Sequence, residues 1–540
     1  MTRYLDLSAV SAERRSGFIN AFVIAINSTS TSSSFVRPFL VGEDFLRIDL
    51  TELRWDSDFR SEELVRLEAS GVKFKFKSEA VKAKFLDIWE SIGDADPYFR
   101  VSHGKIRGWV EPAAYEEARF LSESSKFLVR ADWLFPRMLL EAKDGGFYSQ
   151  LLLLPTSERD LYKRWGQDEA VLGRFNQLRH GGATVGPSIV ARFNRELEEL
   201  PSGYGWDLKL IWRTRDFATD SDDPTKNVFR SLAGTSIHDG REIIGTLPNG
   251  LHWYYVADGK GVQANVVPQA IALDQRNKRG ISDPNVTNAI KCFDCHMPSS
   301  GIYPFVDQVR SAIIAPDIAL AVIAEGERIN ERGERLAARI KEQFVPVENG
   351  REQRHATDPN AQHLDPNAQH PFLSSPPFSG VTPGPFKIHY SPYLDDRARR
   401  RVYNRARDLE EFYLGDLQGR IEGQQASYAR RLALCSGLRP SDAASAVVEA
   451  YNRYHEELVD LEQATRELGY PQEEVVLMLR TSGNPDLALL SRENALPVAA
   501  SRGGQLIRRA AWERGFDDAI KTVVWPWERI LQPVPKPFGY

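Results

Sequence analysis

Residues 292 to 296 read Cys-Phe-Asp-Cys-His, and this short string constrains the fold more tightly than anything else in the chain. C-x-x-C-H is the attachment signature of a c-type haem: two thiols add to the porphyrin vinyl groups, and the adjacent imidazole ligates the iron. The spacing has a mechanical reason. Two intervening residues let the sulfurs reach opposite edges of one macrocycle, and the next residue is carried beneath the metal. The chain holds three cysteines and ten histidines in 540 residues; two of the cysteines stand here, and the motif does not recur. The expected cofactor is one covalent haem c, with Cys292 and Cys295 as attachment points and His296 as proximal ligand.

Other chemistries use the same residue types. A thioredoxin-like redox pair needs a βαβ setting, but the stretch from Ile281 to Lys291 reads as a capped short helix with no buried strand before it. A structural zinc site needs four ligands, usually with a second Cys/His pair at motif spacing. Cys435 lies far off in a helical region without such a pair. A disulfide between Cys292 and Cys295 leaves His296 unexplained.

The length exceeds that of a single domain, and 42% hydrophobic residues suffice for sizeable cores. Net charge is −5, with 69 Lys and Arg against 74 Asp and Glu, which argues against nucleic acid as a partner. No run approaches the roughly 18 apolar residues of a spanning helix. Haem is attached outside the bacterial cytoplasm, so a periplasmic or otherwise exported protein is expected. The start at Met1-Thr-Arg-Tyr-Leu-Asp-Leu-Ser8 has neither a basic nor an apolar signal segment, so a mature chain with its signal removed is the expectation.

Pattern divides the chain into four regions and predicts an α+β fold. Residues 1–216 mix elements. A helical rhythm runs through Phe18, Phe22, Ile24 and Ile26, and Phe45 to Leu50 alternates like a half-buried strand. A helix is expected from Ser78 to Ile92 with Val81, Phe85, Ile88 and Trp89 on one face, and a strand from Phe127 to Trp133. Arg130, Asp132 and Trp133 read as a buried ion pair and an anchor, with a cleft role as the alternative. Residues 217–344 form the cytochrome c-like haem segment. Ile243-Ile244 and Leu251 to Val256, joined at Pro248-Asn249-Gly250, spell a β-hairpin. A helix from Val306 to Ile314 should follow the motif.

Residues 345–393 read as a linker rich in Pro and His, with the repeats Asp358 to His363 and Asp365 to His370. Its histidines His355, His363 and His370 fit a tolerant solvated loop better than a metal site. Too little apolar pattern remains there to offset ordering entropy, so a mobile connection is expected. Residues 394–540 are helical. Val447, Tyr451, Tyr454, Leu458, Leu461, Thr465 and Leu468 predict one long amphipathic helix, and another starts at Gln472.

Several ordered stretches together resemble large, uncharacterised bacterial proteins with a cytochrome c-like haem-attachment domain. They are Phe45 to Leu50 with Trp55, Arg130 to Trp133 with Leu153 to Thr156, Glu242 to Leu251, Ala257 to Val262, the motif itself, and Leu458 to Leu468. The resemblance implies exported c-type cytochromes working in electron transfer, with Cys292, Cys295 and His296 as the haem-binding positions.

The sixth iron ligand separates function classes. A Met or His opposite His296 makes a closed, electron-carrying centre with a redox partner protein, whereas an open position permits peroxidase-like turnover or sensing. Met297 adjoins the proximal ligand and cannot reach the other ring face. Met138 would have to come from the first region. The candidates are Met478, in the apolar run Val475 to Leu479, and His252 and His238 on the hairpin. Electron transfer is the leading expectation, ahead of an open-haem enzyme or sensor and of a zinc or redox C-x-x-C protein.

Overall fold

The computed structural model describes residues 1–98, 128–165, 180–184, 195–200, 211–218, 238–274, 281, 283–301, 417–455, 458–468, 470–491 and 506–522. Both helices and sheets are present, an α+β arrangement. The expected linker at 345–393 with its three histidines, and the expected helix from Val306 to Ile314, lie outside the described residues.

The chain opens with strand β1 (Thr2–Asp6) at the heart of a four-stranded sheet in the order β2-β3-β1-β4. Strands β2 (Phe39–Val41) and β3 (Phe45–Asp49) run antiparallel, with Phe45 opposite Asp6, and β4 (Leu128–Arg130) lies parallel to β1 on its other side. Helix α1 (Arg15–Ser28) buries Phe18, Phe22, Ala25 and Ile26. Full burial of side chains the size of Phe18, Phe22 and Ile26 stabilises by about 1.5–3 kcal/mol each.

Two expected elements break differently. The stretch from Ser78 to Ile92 forms two helices, α2 (Glu79–Leu86) and α3 (Ile88–Ala95). Asp87 leaves helical geometry at ψ 75°, and its carboxylate accepts from the Glu90 amide at 3.0 Å, so it starts a new helix. Val81 is consequently 45% exposed while Ile88 and Trp89 are buried. The predicted strand from Phe127 to Trp133 is extended at β4 and then turns into helix α4 (Ala131–Met138), which carries Asp132 and Trp133.

Helix α5 (Glu158–Arg164), capped by Ser157, precedes a five-stranded antiparallel meander. Its strands are β5 (His180–Thr184), β6 (Arg195–Leu200), β7 (Ile211–Asp216), β8 (Gly240–Thr246) and β9 (His252–Asp258). The expected hairpin is β8 and β9, with Ile244 opposite Tyr254. The division drawn at 216/217 falls at the end of β7, whose partner β8 lies beyond it, so both sides share one sheet. The motif forms its own short helix, α6 (Ile290–His296); the segment before it, expected as helix, is irregular through Ala289.

The C-terminal region supplies α7 (Leu417–Ser436), α8 (Pro440–His455), α9 (Leu461–Leu468), α10 (Gln472–Thr481), α11 (Pro485–Leu490) and α12 (Arg509–Thr522). The single long helix predicted through Leu468 is interrupted. Leu458 and Val459 form β10 and pair with β11 (Ile507–Arg508), while Asp460 accepts from the Gln463 amide at 2.7 Å to start α9. Helix α8 packs on α1, α4 and α6, and α7 packs on α1. One continuous hydrophobic core runs from Leu5 through Ile244 and Phe293 to Phe516. The C-terminal helices therefore belong to the same packed body as the sheets.

Candidate functional site

Helical geometry puts the three motif donors on one face. Cys292 and Cys295 are separated by three residues and Cys292 and His296 by four, so all three fall within about 100° around α6. Phe293 leaves on another side and anchors the helix. Its ring meets Tyr254 at 4.9 Å and Tyr148 at 6.4 Å, both edge-on.

Polar contacts fix the approach to α6. Asn288 donates its amide to Glu141 at 2.6 Å, and its backbone N–H reaches the Asn265 carbonyl at 2.7 Å. Ala289 enters the helix at φ +63°, a conformation that costs a non-glycine residue about 1–3 kcal/mol unless its surroundings hold it. Lys291 is buried, donates to the Ile281 carbonyl at 2.6 Å, and lies 3.3 Å from Asp274 and 3.5 Å from Asp294.

His296 has a defined orientation. Its Nδ1 lies 2.6 Å from the carbonyl oxygen of Gly301, and the Gly301 N–H donates back to the His296 carbonyl at 2.7 Å. A carbonyl oxygen only accepts, so Nδ1 carries a proton, and the neutral form of the ring has its lone pair at Nε2. A metal-ligating histidine is oriented in the same way, by a hydrogen bond from its other nitrogen. Ser300 at φ +60° and Gly301 at φ +112° bend the backbone so that this carbonyl faces the ring.

Cys292 and Cys295 are unlinked, buried thiols. Burial, reinforced by Glu242 and Cys295, pushes the Cys292 thiol well above its ordinary value. A redox dithiol needs the opposite shift. Among the described residues no group of three or more His, Cys, Asp or Glu side chains is arranged to hold a metal ion, so the donors for a closed zinc site are not brought together there. The donor set fits covalent haem: two thiols and one oriented imidazole on a single face. A buried nitrogen without a hydrogen-bond partner, Nδ1 of His252, stands beside it.

The sixth-ligand candidates part company. His238 accepts from Arg241 within a charged cluster at the start of β8. Met478 is buried in α10, which packs on α9, α11 and α12. His252 is placed next to the motif's own turn: its ring rests against Gly301. Burial, with His296 adding to it, pushes His252 down to about 3, so the ring is neutral. Its contact passes to His296 through Gly301, whose carbonyl meets His296 Nδ1. Met138 is buried in α4, and Met297 is buried directly after the motif.

Arg130 and Asp132 form the expected buried pair, bidentate at 2.6 Å, and Arg130 also meets Glu467 at 2.8 Å. Trp133 packs against Phe147 as an anchor. Sequence reasoning missed a second charged cluster on the five-stranded sheet. Glu196 faces Arg215 and Glu198 faces Arg213 across β6 and β7, and Glu158 of α5 pairs with Arg213 and Arg241. The signal was the alternation of charge in Arg195 to Glu198 and Arg213 to Arg215.

No protein-family model, curated protein or solved structure matches this chain.

Proposed function

We propose that the chain is a monohaem c-type cytochrome, with one haem held through thioethers at Cys292 and Cys295 and ligated by Nε2 of His296. One observation carries the reading: the two thiols and the imidazole share one face of α6 while the Gly301 carbonyl fixes His296 with its lone pair at Nε2. When bound, the haem supplies a one-electron couple. The protein's own part is to seat and orient. Phe293 and Lys291 hold α6 against the core, Gly301 sets the imidazole, and the aromatic wall of Tyr148 and Tyr254 keeps polar solvent from that side. Each turnover takes one electron from a reduced partner protein and passes it to an oxidised one. Thioether formation belongs outside the bacterial cytoplasm, so the same reading makes the protein periplasmic or exported. Among the described residues no helix is long and apolar enough to cross a membrane.

Coexpression with a c-type maturation system, followed by a denaturing gel and haem stain, tests the proposal. A stained band that persists through solvent extraction in wild type, and is lost in the double variant Cys292→Ala/Cys295→Ala, is the expected result. His296→Ala should keep the stain and turn the iron high-spin. A wild-type band whose haem washes out removes the proposal.

An open iron position is the second reading, because the sixth-ligand candidate nearest in the fold, His252, rests against Gly301, the residue whose carbonyl holds His296 Nδ1. A low-spin spectrum indifferent to carbon monoxide and cyanide supports the electron carrier; a high-spin spectrum that shifts with either supports a ligand-binding or peroxidase-like centre.

A further inference from the structure

We infer that His252 is a positioning residue for His296, and that helix α7 acts through it to set how strongly His296 donates to the metal. The inference rests on the haem reading above.

The contact runs from Tyr428 and Gln424 of α7 through His252 and Gly301 to His296. His252 opens β9 and is 1% exposed. One face of its ring stacks on Tyr428 of α7, with centroids 4.1 Å apart and planes at 23°. Its Nε2 meets the amide nitrogen of Gln424, on the same helix, at 3.3 Å. Indole is a donor only, and Trp212 Nε1 approaches Gln424 Oε1 at 3.4 Å, so the amide must present its nitrogen to His252. His252 Nε2 is then the acceptor and Nδ1 carries the proton.

The ring lies against Gly301. A methyl group at that position would come within 2.4 Å of His252 Cε1 and 3.2 Å of Nδ1, and φ is +112°, so no other residue fits without displacement. Gly301 is bonded twice to His296, through its carbonyl to Nδ1 and through its N–H to the His296 carbonyl. Anything that lets Gly301 move therefore loosens the hydrogen bond that orients the imidazole.

A ring kept for packing alone would be better apolar. The Nδ1 proton of His252 has no hydrogen-bond partner among the described residues, and an unpaired buried N–H is destabilising. Histidine at this place is explained by its two functions: Nε2 ties it to Gln424, and the small ring fits over Gly301 without a clash.

The chemical consequence has a sign. A hydrogen bond from Nδ1–H raises the basicity of Nε2 and favours the oxidised metal, so weakening it raises the reduction potential. His252→Ala and Gln424→Leu should therefore retain haem on a denaturing gel yet shift the oxidised-to-reduced equilibrium toward reduction, by up to about tenfold, which is about 59 mV for one electron. Leu434→Ala, exposed on α7, should match wild type. Haem-free full-length chain gives a second readout that does not depend on the cofactor. Its imidazole nitrogen spectrum, with His296 assigned by the loss of its signal in His296→Ala, should show Nδ1–H in wild type and a mixed tautomer in His252→Ala. Unchanged potential in both the His252 and Gln424 variants overturns the inference. So does an unchanged His296 tautomer in the haem-free His252→Ala chain. Failure of the haem reading shows itself separately, as a wild-type chain with no covalent stain.

Discussion

Arg130 at the end of β4 and Glu467 near the end of α9 meet at 2.8 Å, in a place where both side chains are almost wholly buried. Glu467 also accepts from Arg509 and from the Trp512 indole, each at 2.6 Å. One carboxylate thus joins the first sheet to the helices at the far end of the chain. Burial by itself would raise its pKa, but the two guanidinium groups outweigh burial and hold it well below the ordinary value.

Replacing that carboxylate should be severe. Glu467→Gln leaves Arg130 and Arg509 short of a buried counter-charge, which typically costs about 3–5 kcal/mol. The sign with pH follows from the depressed pKa. Stability contributed by Glu467 is complete above its ordinary value of 4.5 and is lost as pH falls below it. Denaturant melts should show a steep acid-side loss in wild type, and a flatter one for the variant over the same window. Equal slopes would remove this residue from the acid response.

Lys291→Ala should lower haem attachment. The ammonium group is 2% exposed and binds Asp274, Asp294 and the Ile281 carbonyl, so its loss leaves buried carboxylates uncompensated and α6 untethered. A destabilisation of about 3 kcal/mol and a several-fold fall in stained haem per milligram are the expected outcomes. Full haem loading would show that α6 does not need this tether.

Met478→Leu should leave the haem spectrum unchanged. The side chain packs within α10 against helices of its own cluster, and a swap that conserves volume costs less than about 1.5 kcal/mol. His238→Asn should be equally silent in the spectrum, because that ring serves Arg241. A spectral shift in either variant would identify the sixth ligand.

Proteolytic nicking between Gly350 and Gly384 should leave the halves together. Helix α8 packs on α1, α4 and α6, and buried residues from both halves share one core, so cleaving the connection removes none of these contacts. Two bands on a denaturing gel and one peak on gel filtration are expected. Two peaks would mean that the halves hold together through the intact chain alone.

Local elements were legible wherever pattern and burial agree. The α1 rhythm at Phe18 and Phe22, the β3 alternation and the hairpin at Pro248-Asn249-Gly250 all depend on neighbours a few residues away, and each is found where the pattern put it. Breaks were not legible. Asp87 and Asp460 each sit inside an apolar rhythm that continues across them, and their capping role depends on which neighbouring side chains the core takes in.

The sequence by itself determined the chemistry on offer: two thiols and an imidazole at a spacing that lets a helix present all three on one face, and a hairpin before them. Tertiary structure decided the rest. It placed His252 beside Gly301, set Met478 among its own helices, and brought α7 against His252. These relationships join residues far apart in the chain, and no periodicity records them. They arise because helices and sheets with one apolar face must bury it against each other, and the particular pairing is fixed by shape and buried charge in the assembled core.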